Sequence, residues 1–286
     1  MKYALALVVL LYMLLSGVVS AETISTLEQI KNSETIRIGY RENEPPMSFL
    51  NKDKQPVGYT IELCLHIVNE IKSELKNPNI STKYVPVTAS NRFESLVDNS
   101  IDILCGSTTK TLSRAEIVDF TQLSFVTGAS LLSLESFNVS DISDLKGKKV
   151  AVVKDTTTYD SLNKALKESD INAKVISVDS ASEAMQVLIK GDVDAFSSDQ
   201  VVLIGLALTH EGEEKFAISN NIFSFEPFAL AVRRNDAEFR LIADRVLSRL
   251  NRSGQITPIY AKWFGSFTKE VPDLLQAMYL LNSTPE

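Results

Sequence analysis

The chain has 286 residues, is 44% hydrophobic, and carries 29 basic against 36 acidic side chains, a net charge of −7. That length suits one large domain or two modest ones. The acidic balance argues against nucleic acid or an anionic membrane as partner, but not against an anionic small molecule, because a pocket sets its own local field.

The N-terminus reads as a secretory signal peptide. Lys2 supplies the positive start, Ala4 to Leu15 the apolar stretch, and Val19-Ser20-Ala21 a small-residue cleavage site before Glu22. The stretch is short for a membrane anchor, no cysteine lies nearby to carry a lipid, and no later segment is long and apolar enough to span a bilayer. An exported mature chain beginning at Glu22 is expected, and loss of Lys2 takes its net charge to −8.

Strand and helix signals alternate from there. Thr35 to Tyr40 reads as a strand, followed by a loop containing Glu44-Pro45-Pro46 and a helix from about Thr60 to Leu75. Lys83 to Val87 reads as a strand, Asn91 to Asp98 as a helix and Ile101 to Cys105 as a buried strand. The rhythm restarts after Leu145-Lys146-Gly147 with a strand at Val150 to Val153, a helix from Thr156 to about Leu166, a strand at Ala173 to Val178, a helix at Ser182 to Lys190 and a strand at Ala195 to Asp199. Such βαβα order predicts parallel sheets covered by helices, and the restart predicts two α/β lobes. Leu123 to Leu134 and Ile222 to Val232, rich in strand formers, are candidate crossover strands. A helical run, Ala237 to Leu250, then Ser253 to Gly265, precedes a final surface helix between Pro272 and Leu281.

Cysteines stand at 64 and 105 only. Cys64 lies on the apolar face of its helix with Ile61, Val68 and Ile71, and Cys105 ends a buried strand. Both can face one core, so in an oxidising compartment they are either a disulfide or two buried thiols held too far apart to bond.

The segment Cys105 to Phe120 carries the strongest ligand signal. A buried strand stops at Gly106, hydroxyl residues Ser107, Thr108 and Thr109 follow, and Arg114 comes five positions after Thr109. In open α/β sheets ligands bind where strands end and loops expose N–H groups. Hydroxyls and a guanidinium fork at that place suit a small carboxylic acid. The same pattern also serves an ordinary βα turn.

With these residues in hand, the chain resembles the bacterial periplasmic solute-binding proteins (family 3) that serve ABC importers of polar amino acids, in particular the glutamate/aspartate-binding branch. The resemblance rests on GYRENEPPMSF (39–49), VTASNRF (87–93), CGSTTKTLSR (105–114), DLKGKKVAV (144–152), FSSDQ (196–200) and SGQITPIYAKWFG (253–265), in that order. It implies a type II periplasmic-binding-protein fold: two α/β lobes, 22–127 with 226–286 and 128–225, joined by two hinge strands that close on ligand. It further implies that Ser107, Thr109 and Arg114 hold the ligand α-carboxylate end, that Thr156 at a helix start faces the same carboxylate, and that Asp199 accepts from the α-ammonium group. Arg41 and Arg92 match the arginines that grip a side-chain carboxylate in that branch. Alternatively, each pairs with a protein acid such as Glu42 or Glu94, and Asp199 is a strand-end cap or a lobe salt bridge. Two departures stand out: Ala89 and Ala181 replace a serine and a histidine of that branch, with Ser90 the candidate substitute for the serine.

The implied protein is a monomer that takes an amino acid, needs no cofactor or metal, and meets an importer permease rather than nucleic acid. A dehydratase of the same fold is the rival reading, with Glu42 as a general acid of raised pKa. His66 and His210 lie in no triad or metal spacing. A sensor subunit is a second rival and, with the chain ending at Glu286, would need a separate partner for its output.

Overall fold

The computed structural model describes residues 24–137, 139–268 and 270–286. The expected signal peptide and its cleavage site fall outside the described residues.

In chain order the elements are α1 (Thr26–Ser33), β1 (Thr35–Tyr40), β2 (Asn43–Glu44), β3 (Ser48–Leu50), β4 (Pro56–Val57), α2 (Tyr59–Glu74), β5 (Ser81–Pro86), α3 (Glu94–Val97), β6 (Ile103–Cys105), β7 (Val118–Thr127) and β8 (Ala129–Leu134). There follow β9 (Lys149–Val153), α4 (Thr157–Glu168), β10 (Lys174–Val178), α5 (Ala181–Ile189), β11 (Ala195–Asp199), α6 (Gln200–Thr209), β12 (Phe216–Ile218), β13 (Glu226–Arg233), α7 (Ala237–Arg252), α8 (Ile256–Phe264) and α9 (Asp273–Leu281).

Two five-stranded sheets make two lobes. The first runs β5-β1-β6-β13-β7 and the second β10-β9-β11-β8-β12. Strands read from the βαβα rhythm pair in parallel, β1 with β5 and β6, and β9 with β10 and β11. The remaining pairings are antiparallel: β13 with β6 and β7, and β8 with β11 and β12. The 2.0-residue side-chain period explains the core of the second sheet. Val150 and Val152 of β9 pack with Leu162 and Leu166 of α4, whereas Ala151 and Val153 pack with Ala184 and Leu188 of α5. Helices cover both faces, so the strand is apolar from Val150 to Val153, with only Lys149 at its start exposed.

The stretch read as one crossover, 123–134, is two strands. It breaks at Gly128, where β7 leaves the first sheet and β8 enters the second. A Cβ at Gly128 would lie 2.5 Å from Ser224 O, so glycine lets the two crossing segments touch. The helix expected over 91–98 is only Glu94–Val97. Asn91 and Thr88 instead exchange side-chain-to-backbone hydrogen bonds and hold 88–93 as a turn. The tail helix α9 is no mere surface element: Leu275, Met278 and Tyr279 are buried, and Tyr279 Oη lies 3.0 Å from the buried Tyr59 Oη in the first lobe. Cys64 of α2 and Cys105 of β6 are disulfide-bonded. Among the described residues no helix is long and apolar enough to cross a membrane.

Candidate functional site

Between the lobes lies a narrow cavity lined mainly by polar and charged side chains. Arg41, Arg92, Ser107, Thr109, Arg114, Thr156 and Asp199 all line it. The loop after β6 is fixed against a hinge strand, with Lys110 N–H donating to Pro227 O at 2.8 Å and Ala229 N–H to Thr108 O at 3.1 Å. Arg114 opens a short turn held by Thr111 Oγ1, which accepts its N–H. The guanidinium folds back so that Nη1 donates to Thr109 O at 2.8 Å. Arg92 and Arg114 both approach the ring of Phe93, at 4.5 and 5.4 Å from its centroid, which orients two cations without neutralising them.

The cations differ in how they are balanced. Arg41 Nη2 pairs with Glu44 Oε1 at 2.8 Å, not with Glu42. Arg92 donates Nη2 to Asp155 O at 3.1 Å, but its buried Nη1 has no partner among the described residues, and neither Glu94 nor another carboxylate pairs with it. Burial, then repulsion from Arg114 and Arg41, pulls the Arg92 pKa down to about 9, the mark of a guanidinium short of an anion. Burial likewise lowers Arg114, while Glu226, Asp199 and Asp160 resist the shift.

Asp199 is the opposite case. Ending β11 at the start of α6, it makes no side-chain cap bond, and its buried Oδ1 has no partner among the described residues. Neither the strand-end cap nor the lobe salt bridge describes it. Burial, then the nearby charges of Glu226 and Glu44, raises its pKa well above the ordinary carboxylate value.

Three expected contributions change character. Ser107 Oγ donates to Glu44. Thr156 caps α4: its Oγ1 accepts from Tyr159 N–H at 3.2 Å and donates to Val153 O at 2.7 Å, so the hydroxyl is occupied within the lobe and the helix N-terminus is what remains for an anion. Thr109 Oγ1 donates to Glu226 Oε2 at 2.6 Å rather than into the cavity. Arg92 sits in the turn before α3, not at the start of the helix.

Sequence reasoning missed Glu44, Thr157 and Glu226. Buried Glu226, on β13, also accepts from Thr157 Oγ1 at 2.7 Å and Ser224 Oγ at 2.6 Å, so hydroxyls from both lobes and the hinge meet on one carboxylate. A lone acid heading an apolar strand was the available signal. Glu44 stood in the quoted GYRENEPPMSF segment, unassigned. Ala89 is buried within the apolar cluster of the second lobe together with Ala181, so the wall there is apolar, and Ser90 donates to Asp155 Oδ2 at 2.5 Å instead of replacing a cavity hydroxyl. Glu42, His66 and His210 do not line the cavity. Among the described residues no cluster of three or more His, Cys, Asp or Glu has metal-site geometry.

The family described as bacterial extracellular solute-binding proteins, family 3, matches residues 36–266. The L-glutamate/L-aspartate-binding protein of Pseudomonas aeruginosa is 32% identical over 91% of this chain and 85% of its own length. The glutamate/aspartate import solute-binding protein of Salmonella typhimurium is 31% identical over 84% of this chain and 80% of its own. Among solved structures, an ancestral arginine-binding protein bound to glutamine superposes with a TM-score of 0.72 at 28% identity, covering 81% of this chain and 98% of that one.

Proposed function

The chain belongs to the family 3 bacterial extracellular solute-binding proteins, and from that premise we propose that it captures an acidic amino acid, aspartate or glutamate, and delivers it to an ABC importer. One observation carries this reading. Two buried ionisable groups, one a base and one an acid, Arg92 through Nη1 and Asp199 through Oδ1, face one cavity without a partner for those atoms among the described residues. An unpaired buried charge is costly, and a ligand bearing both signs relieves both. In this assignment Asp199 takes the α-ammonium group, Arg114 and the N-terminus of α4 take the α-carboxylate, and Arg92 takes the side-chain carboxylate, with Ser107, Thr109, Thr156 and Arg41 completing the wall.

Closure is the working step. The first lobe, 22–127 with 226–286, and the second, 128–225, contact the ligand together only when shut, so ligand shifts the population toward the closed form that a permease reads. The lobes also meet directly, through Ser90 and Arg92 to Asp155 and an exposed Lys52–Glu211 pair at 2.7 Å. Processing after Ala21 would release the protein to the periplasm as a monomer. A binding role is preferred to dehydration because the relatives that the chain matches over most of its length are amino-acid-binding proteins.

Calorimetric titration with aspartate, glutamate, asparagine, glutamine, arginine, cysteine and histidine tests the reading. The acids should bind tightest and, at 100 times the dissociation constant, raise stability by about 2.7 kcal/mol. A neutral or basic amino acid binding tightest overturns it.

A further inference from the structure

Glu44 lines the ligand cavity, yet its carboxylate is already satisfied at both ends. Oε1 accepts from Arg41 Nη2 at 2.8 Å, and Oε2 accepts from Ser107 Oγ. The two side chains are 8% and 12% exposed, so solvent screens the pair little. Arg41 is further fixed through its backbone, which exchanges hydrogen bonds with the buried Ser48 hydroxyl at 2.9 and 3.2 Å. Of the two arginines at this end of the cavity, Arg41 therefore comes with its own anion and Arg92 comes without one.

A ligand carboxylate that reached Arg41 would either break this pair or lie beside a second negative charge. An amide meets different chemistry. Its oxygen accepts from Arg92 Nη1 as a carboxylate oxygen would, and its NH₂ group donates, which suits the acceptor-only carboxylate of Glu44. We propose that Glu44 is a specificity-determining residue that keeps Arg41 in an internal ion pair, so that Arg92 alone grips the end of the ligand side chain and the site accepts the amides of acidic amino acids nearly as well as the acids. The proposal rests on the reading that the cavity holds an amino acid with its side chain toward Arg41 and Arg92.

Glu44→Gln tests it, because the charge goes and the volume stays. Calorimetric titrations of wild type and variant with aspartate, glutamate, asparagine and glutamine give one number per protein, the acid-to-amide affinity ratio. The ratio should rise by about tenfold or more, roughly 1.4 kcal/mol, through tighter binding of the acids. Adding Arg41→Met to Glu44→Gln should return acid affinity to within about threefold of wild type, since each change removes one charge of a neutral pair. Glu44→Ser, which frees Arg41 without an amide in the cavity, should raise the ratio too and serves where Glu44→Gln folds poorly by thermal unfolding. A ratio that stays put or falls in both Glu44 variants overturns the proposal. The dicarboxylate reading fails separately: it is lost if wild type binds a neutral or basic amino acid tightest, and the ratio still measures Glu44 in that protein.

Discussion

Thr109 and Thr157 come from opposite lobes, and both donate their hydroxyl protons to one atom, Glu226 Oε2, at 2.6 and 2.7 Å. The two hydroxyl oxygens lie 3.2 Å apart. A hydroxyl has one proton, so with that proton on Glu226 each oxygen offers the cavity only lone pairs. Beside Asp199 this makes a region of acceptors, matched to an ammonium group and hostile to a carboxylate. Glu226→Gln weakens the pattern, because an amide can donate back. Amino-acid affinity should fall by about 10- to 100-fold, in line with 1.5–3 kcal/mol for a hydrogen bond to a charged group. Succinate and glutarate, which lack the ammonium group, should change little or bind better. Equal losses for both ligand classes in calorimetry would mean that Glu226 acts only on the fold.

Arg114 and Arg92 should separate by ligand. The α-carboxylate is common to every amino acid, so Arg114→Ala should weaken all of them by about 2–5 kcal/mol, the usual consequence of breaking a buried charge pair. Arg92→Ala should reduce binding of aspartate and glutamate by a similar amount and affect alanine or serine much less. Titrating each variant with all four ligands checks both, and near-normal binding by Arg114→Ala removes the central assignment.

Much of this was legible beforehand because period and punctuation carry it. β1 and β11 fall on the residues where the sequence placed them, and the Gly106 stop marks the loop that holds Ser107 and Thr109. The crossover was misread as one strand because nothing local separates 118–127 from 129–134; only the close approach of Ser224 explains Gly128. The short sheet of β2, β3 and β4 was hidden in a loop too brief to show alternation. Site residues were found where a chemical type stands out, as with arginine after a run of hydroxyls. Glu226 and Thr157 escaped because their significance lies in meeting across the lobes, 69 residues apart in the chain.

The Cys64–Cys105 disulfide ties α2 to the strand that ends at the ligand loop, across a separation of 41 residues. A loop of that length predicts about 4 kcal/mol from restriction of the unfolded chain. The Cys64→Ser/Cys105→Ser protein should therefore unfold at lower denaturant while binding ligand normally at low temperature, since neither sulfur lines the cavity. Urea titrations and calorimetry on both proteins measure the two effects. Unchanged stability would contradict the loop estimate, and lost binding in a folded variant would show that the bond also positions Ser107.

As the proposed receiver of the ammonium group, Asp199 should make binding pH-dependent, with a definite sign. Its pKa in the unliganded protein is raised well above the ordinary carboxylate value of 3.8, first by burial and then by Glu226 and Glu44. The folded protein therefore holds a proton that the unfolded chain has already released, and this group lowers stability as pH climbs from 3.8 toward the raised value. A ligand ammonium group favours the ionised carboxylate, so binding expels that proton. Affinity should then rise with pH through the same window and level off above it. Calorimetric titration below the plateau, in buffers of different ionisation enthalpy, should register proton release. Asp199→Asn should abolish the release and, having lost the charge that meets the ammonium group, reduce amino-acid affinity by about 2–5 kcal/mol while leaving succinate and glutarate less affected. Proton uptake on binding, or an affinity that falls as pH rises through the window, would show that Asp199 does not receive the ammonium group.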